Sequence, residues 1–209
     1  VLAFLVGAFA DSMPKGRVMF VTNTIKVVGC MLILFNEFLH FGSMPHYWLV
    51  LFAYAVVGLG AAAYSPAKYG ILTELLPAEQ LVVANGWIEG LTVASIVLGT
   101  LLGGMLIGPK VSSMLLAIDF PGLDTHIDTP PEAAITVIAF IYVTAALFNL
   151  AIPDTGARYP HQERNPIRLL VDFSRCFTVL WRDKLGQISL AVTTLFWGAG
   201  ATLQFIVLK

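Results

Sequence analysis

Gly58-Leu-Gly-Ala-Ala-Ala-Tyr-Ser-Pro66-Ala-Lys68-Tyr-Gly-Ile-Leu-Thr-Glu-Leu-Leu76 closes an apolar run that begins near Tyr47. Its small residues, Gly58, Gly60, Ala61, Ala62 and Ala63, let another helix approach closely. Pro66 removes a backbone donor and its ring crowds the preceding turn, so the helix is expected to end or kink there. Lys68 then places a fixed positive charge where apolar sequence gives way to polar. The pattern reads as a bent helix in a membrane bundle with a cation at the mouth of what the bundle encloses. An ordinary helix end with an interfacial lysine fits the same spacing.

Composition agrees with a membrane protein. Of 209 residues, 57% are hydrophobic and 12% charged, where a soluble domain carries about a quarter charged residues. A net charge of −1 supplies no basic field for nucleic acid. Cys30 and Cys176 lie far apart in unlike surroundings, so neither a disulfide nor a metal motif is expected. The chain opens and closes inside apolar runs, as expected of a piece of a longer protein.

A span needs about 20 mostly apolar residues. Whole or nearly whole spans are expected at 18–41, 47–64, 81–107 and 133–152, with a stub at 1–10 and a shortened span at 188–208. The connections at 11–17, 66–80 and 153–187 carry nine Lys or Arg residues, whereas 36–46 and 108–132 carry only Lys110. That asymmetry places the first set on the cytoplasmic side. Asp119, Asp124, Asp128, Glu132 and His126 then fall in a solvated outer loop.

Three parts follow: residues 1–152 as one half of a bundle, 153–186 as a cytoplasmic linker, and 187–209 as the start of a second half. Within the linker, Asn165-Pro166 reads as an N-cap followed by proline at the first helical position. Apolar residues at 169, 170, 173, 177 and 180 fall at helix spacing, with Arg168, Asp172 and Arg175 on another face. The reading is a basic amphipathic helix on the inner leaflet, attracted by anionic lipid. Packing against the bundle is the alternative.

Ionisable groups inside a span usually face a cavity or a partner. Glu89 lies eight residues past Leu81, ~12 Å deep at the usual helical rise. Lys26 lies at similar depth from the same side. The two either pair or Lys26 snorkels to the surface. Asn85, Glu89 and Thr92 share one helical face. A phosphate-bearing head group needs a cation, which Lys68 offers, and any amine on it needs an acceptor, which Glu89 or Asn85 offers. The paired Gly-xxx-Gly spacings from Gly99 to Gly108 are expected to be helix contacts. No Ser/His/Asp grouping, phosphate loop or metal spacing occurs, so no cofactor and no catalytic residue is expected.

Several stretches carry a more specific likeness. Gly7-Ala-Phe-Ala-Asp11, leading into Ser-Met-Pro-Lys15-Gly-Arg17, resembles the signature loop between the second and third helices of the major facilitator superfamily. Its turn is two residues longer before the Gly-Arg pair. Tyr64-Ser-Pro-Ala-Lys-Tyr-Gly-Ile-Leu72, Ala84-Asn-Gly-Trp-Ile-Glu-Gly90 and Leu195-Phe-Trp-Gly-Ala-Gly-Ala-Thr-Leu203 are similar to the bacterial lysophospholipid transporter family within that superfamily.

The resemblance implies an all-α, polytopic, twelve-helix transporter of the bacterial inner membrane, here from the second helix into the seventh. It implies a lysophospholipid substrate carried to the cytoplasmic face, where an acyltransferase restores the second chain. Gly7, Asp11 and Arg17 would be a conformational latch. Some members carry arginine where this chain has Gln204, a neutral hydrogen-bonding side chain. Together with Lys68, Asn85 and Glu89, Gln204 completes the expected head-group set. Two other outcomes fit the same fold: the membrane part of a fused acyltransferase and acyl-carrier ligase, and a drug or metabolite exporter.

Overall fold

A computed structural model describes residues 3–35, 46–117, 127, 129–157 and 165–207. Those residues form helices α1 (Ala3–Ala10), α2 (Lys15–Leu34), α3 (His46–Leu75), α4 (Ala78–Ile107), α5 (Pro109–Leu116), α6 (Pro130–Leu150), α7 (Pro166–Arg182) and α8 (Lys184–Val207). No strand occurs among the described residues. Helices α2, α3, α4 and α6 are each long and apolar enough to cross a membrane. The span expected at 188–208 falls on α8, and the end of the one expected at 18–41 lies outside the described residues.

The chain divides into two compact units. Val6–Gln162 holds the end of α1 and α2 to α6. Val1–Leu5 with Glu163–Lys209 holds α7 and α8.

In the larger unit α2 is the central helix, packed along α3 on one side and α6 on the other. The sequence allows this because the facing positions are small. A Cβ at Gly60 would come 2.8 Å from the Thr22 carbonyl oxygen and 2.9 Å from Lys26 Cγ. One at Gly29 would meet Val57 Cγ2 at 2.5 Å. With no side chain at either position, the backbones of α2 and α3 sit close, which is how helices gain dispersion contacts in lipid. Val18 and Thr22 on α2 are fully buried there. Ala10, Val18, Met19, Ala67 and Ile71 form a tight core at one end of the unit.

The small-residue run works on one stripe only. Gly60, Ala63 and Ala67 are buried against α2, whereas Gly58, Ala61 and Ala62 are exposed. Gly99, Gly103 and Gly104 on α4 also have open space where a Cβ would stand. The contacts expected of the Gly-xxx-Gly pairs are therefore not made among the described residues.

Pro66 does not end its helix. Helix α3 continues through it to Leu75. Proline deprives the carbonyl four residues earlier, at Ala62, of its helical donor. The next turns are held in place by packing, since Ala67 is fully buried and Ile71 nearly so. What read as a loop at 66–80 is thus mostly helix, broken at Leu76-Pro77 before α4 starts at Ala78. Helices α3 and α4 have 30 residues each, or ~45 Å, against a hydrocarbon core of ~30 Å. Their polar ends project beyond it.

Two further differences concern the outer side. Glu132 is not a loop acid. It is the third residue of α6, and its Oε2 accepts the Thr129 backbone N–H at 2.9 Å in a reciprocal capping box. The short helix α5, started by Pro109 at its first position, occupies part of the expected loop. Asp119, Asp124, Asp128 and His126 lie outside the described residues.

In the smaller unit, Asn165 caps α7, its Oδ1 accepting the Ile167 N–H at 3.0 Å. Arg175 and Asp172 approach to 3.9 Å on the exposed face. Phe177 and Trp181 stack one turn apart, with ring centroids 5.8 Å apart. Asp183 Oδ2 accepts the Gly186 N–H at 2.8 Å, so the chain turns directly from α7 into α8.

Candidate substrate-binding site

The Leu76-Pro77 break folds α4 back beside α3, which brings Lys68 and Tyr69 opposite Glu89 and Thr92. In a helix the Cα–Cβ bond tilts toward the N-terminus. For α3 that direction leads away from the break, so Lys68, seven residues before Leu75, reaches back along α4. Its Nζ donates to Thr92 Oγ1 at 3.0 Å. Thr92 Oγ1 in turn donates to the Ile88 carbonyl oxygen at 2.7 Å, which orients it as an acceptor for Lys68. The ammonium also lies 4.6 Å from the centroid of the Tyr69 ring, within cation–π range.

Tyr69 joins this set on the other side. Its hydroxyl donates to Glu89 Oε1 at 2.6 Å. Glu89 Oε2 is buried with no hydrogen-bond partner. Because α4 starts at Ala78, Glu89 lies eleven residues into its helix, or ~17 Å from its start. The result is a cation, a carboxylate with one oxygen unengaged, a phenol and a hydroxyl on two adjoining helix faces. Chemically, such a set can neutralise a phosphate with Lys68 and accept an ammonium at Glu89.

Asn85, one turn before Glu89, is exposed. Gln204 lies on α8, and its side chain is outside the described residues. Tyr69 is uncharged and stands out in the sequence only chemically: a buried tyrosine hydroxyl needs a partner, which Glu89 Oε1 supplies.

Lys26 does neither of the two things expected of it. It is buried, and its Nζ donates to Asn23 Oδ1 at 3.0 Å. It also lies 4.5 Å from the Tyr64 ring centroid and 5.2 Å from that of Tyr142. The cation is thus held by two aromatic faces from α3 and α6 instead of by Glu89. It ties three helices together at the centre of the larger unit.

At the end of α1, Asp11 N–H donates to the Gly7 carbonyl oxygen at 2.9 Å. Asp11 Oδ1 accepts from Lys15 Nζ, in the first turn of α2, at 2.6 Å. Lys15 is 6% exposed and also donates to the Ala10 carbonyl oxygen at 2.9 Å, satisfying a terminal acceptor of α1. Gly70 leaves room for it, since a Cβ there would come 3.1 Å from Lys15 Cε. Arg17 is exposed. A Cβ at Gly7 would meet nothing within 4 Å.

Comparison with known proteins adds the family. The model of the Major Facilitator Superfamily matches residues 1–208. A protein named lysophospholipid transporter LplT from Yersinia enterocolitica is 42% identical over 208 residues, covering 99% of this chain and 43% of that protein. Namesakes from Serratia proteamaculans and Yersinia pestis are each 41% identical over 99% of this chain, covering 44% and 43% of their own lengths. The chain thus spans less than half the length of these relatives. No solved structure matches it. Four apolar helices of membrane-crossing length, matched to one family model over nearly every residue, make this chain a multi-pass membrane protein of the Major Facilitator Superfamily.

Proposed function

We propose that the protein of which this chain is part moves lysophospholipids across the bacterial inner membrane to its cytoplasmic face. The observation that carries this reading is the 41–42% identity, over 99% of the chain, to proteins named lysophospholipid transporters. The α3–α4 polar set supports it. Lys68 takes the phosphate of the head group, while Glu89 Oε2, with Asn85 nearby, takes its amine. Gln204 is the fourth head-group candidate, a neutral residue able to hydrogen-bond. Acyl chains need only the apolar faces of the bundle. The protein is a transporter and not an enzyme, and reacylation falls to a separate acyltransferase on the cytoplasmic face.

The mechanism is alternating access, with two six-helix halves rocking about a midplane site. Gly7, Asp11 and Arg17 form the cytoplasmic latch, and Lys15 pins Asp11 within it. The test is uptake of labelled lysophosphatidylethanolamine into spheroplasts with and without the complete gene. Uptake that depends on the gene is expected. Equal uptake, together with gene-dependent efflux of cationic dyes, would replace this reading with an exporter.

A further inference from the structure

The outer faces of α7 are strongly unlike one another. Leu170, Phe173, Phe177, Leu180 and Trp181 recur at three- and four-residue spacing and form one stripe. All five are exposed within the smaller unit, and Phe177 stacks on Trp181 along the stripe. A continuous row of large apolar side chains marks an interaction surface and not one left to water. Arg168, Arg175 and Arg182 follow one another at seven-residue intervals. Two helical turns bring each to within about 20° of the last, so the three line the pole opposite the stripe. Asp172 lies beside this row, but its 3.9 Å approach to Arg175 joins two exposed side chains and neutralises little.

Two observations say what covers the stripe. The first is position. Only Asp183 separates α7 from α8. The corner is held by Asp183 Oδ2, which accepts the Gly186 N–H at 2.8 Å, and by Gln187 Nε2, which donates to the Trp181 carbonyl oxygen at 2.8 Å. Gly186 itself lies against the Leu180 carbonyl, where a Cβ has no room. From Ile188 to Val207, α8 carries no charged residue. Its 24 residues reach ~36 Å, enough to cross a hydrocarbon core of ~30 Å. Where α8 enters the bilayer, α7 is therefore already at the surface, with Trp181 at the depth where indole rings settle.

The second observation is charge. From Pro166 to Lys184 the chain sets Arg168, Arg175, Arg182 and Lys184 against Asp172 and Asp183, and Asp183 is engaged at the corner. With the stripe sunk to the boundary of the acyl chains, the helix axis lies near the lipid phosphates. The arginine row then stands within about one Debye length, ~8–10 Å, of their charge. We propose that α7 docks on the cytoplasmic leaflet as an electrostatically tethered surface helix, its apolar stripe between acyl chains and head groups and its arginines drawn by anionic lipid. The occupant is a negatively charged lipid surface, matched by a row of charge along the helix. The corner passes this tether on to α8. The docking stands whatever cargo the protein carries.

The complete protein in nanodiscs tests this by spin labelling. All other cysteines, Cys30 among them, are replaced by alanine. One label sits at the exposed native Cys176, on the flank of the stripe, and in a second variant the label sits at Phe173→Cys, near its centre. Oxygen, which concentrates in lipid, and a water-soluble nickel chelate report the depth of each. In phosphatidylcholine mixed with phosphatidylglycerol, the Phe173→Cys label should be open to oxygen and closed to nickel, with the Cys176 label at an intermediate depth. The ratio of docked to undocked helix should fall about tenfold or more in phosphatidylcholine alone, and equally in the triple variant Arg168→Gln, Arg175→Gln, Arg182→Gln. Lysine at the same three positions keeps the charge and should restore docking. Raised salt should release the helix with its arginines intact, which reads the charge term should the glutamine variant not fold. A Phe173→Cys label closed to both reagents would place the stripe against protein, and one open to nickel in both lipids would place it in water; either overturns the docking. Shielding that ignores phosphatidylglycerol, salt and the arginines alike would overturn the anionic tether.

Discussion

The hydrogen bond from Tyr69 to Glu89 is the most direct handle on the α3–α4 site. Tyr69→Phe removes one oxygen and leaves the ring over Lys68 in place. Glu89 Oε2 is already without a partner, and Oε1 depends on the Tyr69 hydroxyl at 2.6 Å. The variant therefore strands the whole carboxylate. In a soluble interior a hydrogen bond to a charged group is worth ~1.5–3 kcal/mol. Between membrane helices the measured values are smaller, averaging ~0.6 and reaching ~1.7 kcal/mol, because the separated helices also find partners. The short distance and ionic acceptor favour the upper part of that range, so a coupling of about 1–1.7 kcal/mol is expected. That corresponds to roughly 5–18-fold. A double-mutant cycle of Tyr69→Phe and Glu89→Gln measures it, read as uptake of labelled lysophosphatidylethanolamine per amount of protein in the membrane and as thermal stability in detergent. Single-variant effects that simply add, within about 0.3 kcal/mol, would show that the two side chains do not act together. A lysophospholipid lacking an amine should be less sensitive to Glu89→Gln, since its head group has nothing to offer that carboxylate.

Lys68→Ala should lower lysophospholipid uptake about tenfold or more while the protein still reaches the membrane; unaltered uptake would remove Lys68 from the site. Asp11→Ala frees Lys15 and should slow the transport cycle more than it weakens substrate binding, so equal losses of affinity and rate would argue against a latch. Gly60→Ala forces a methyl to within 2.8 Å of the Thr22 carbonyl oxygen, and should destabilise the protein by about 1–3 kcal/mol. Gly58→Ala, two residues away with nothing within 4 Å, should be nearly neutral, and similar melting temperatures for the two variants would contradict the α2–α3 packing.

The membrane class, the approximate spans, the Asn165 cap and the family resemblance are all legible in the chain alone. Each follows from local composition or from motifs that need no knowledge of neighbours. Helix α7 was legible because its apolar residues fall on one side. Helices α3, α4 and α6 are apolar almost all round, so their periodicity carries little information about which face turns inward. Packing between helices is what makes Gly60 a contact and Gly58 not, sets Lys26 between Tyr64 and Tyr142, and brings Lys15 to Asp11. The same holds for Pro66: local stereochemistry predicts an end or a kink, and α3 runs on through it to Leu75 with Ala67 and Ile71 buried. In each case the partner is far along the chain or on another helix, and the rotation of one helix about its axis is set by what the others press against it.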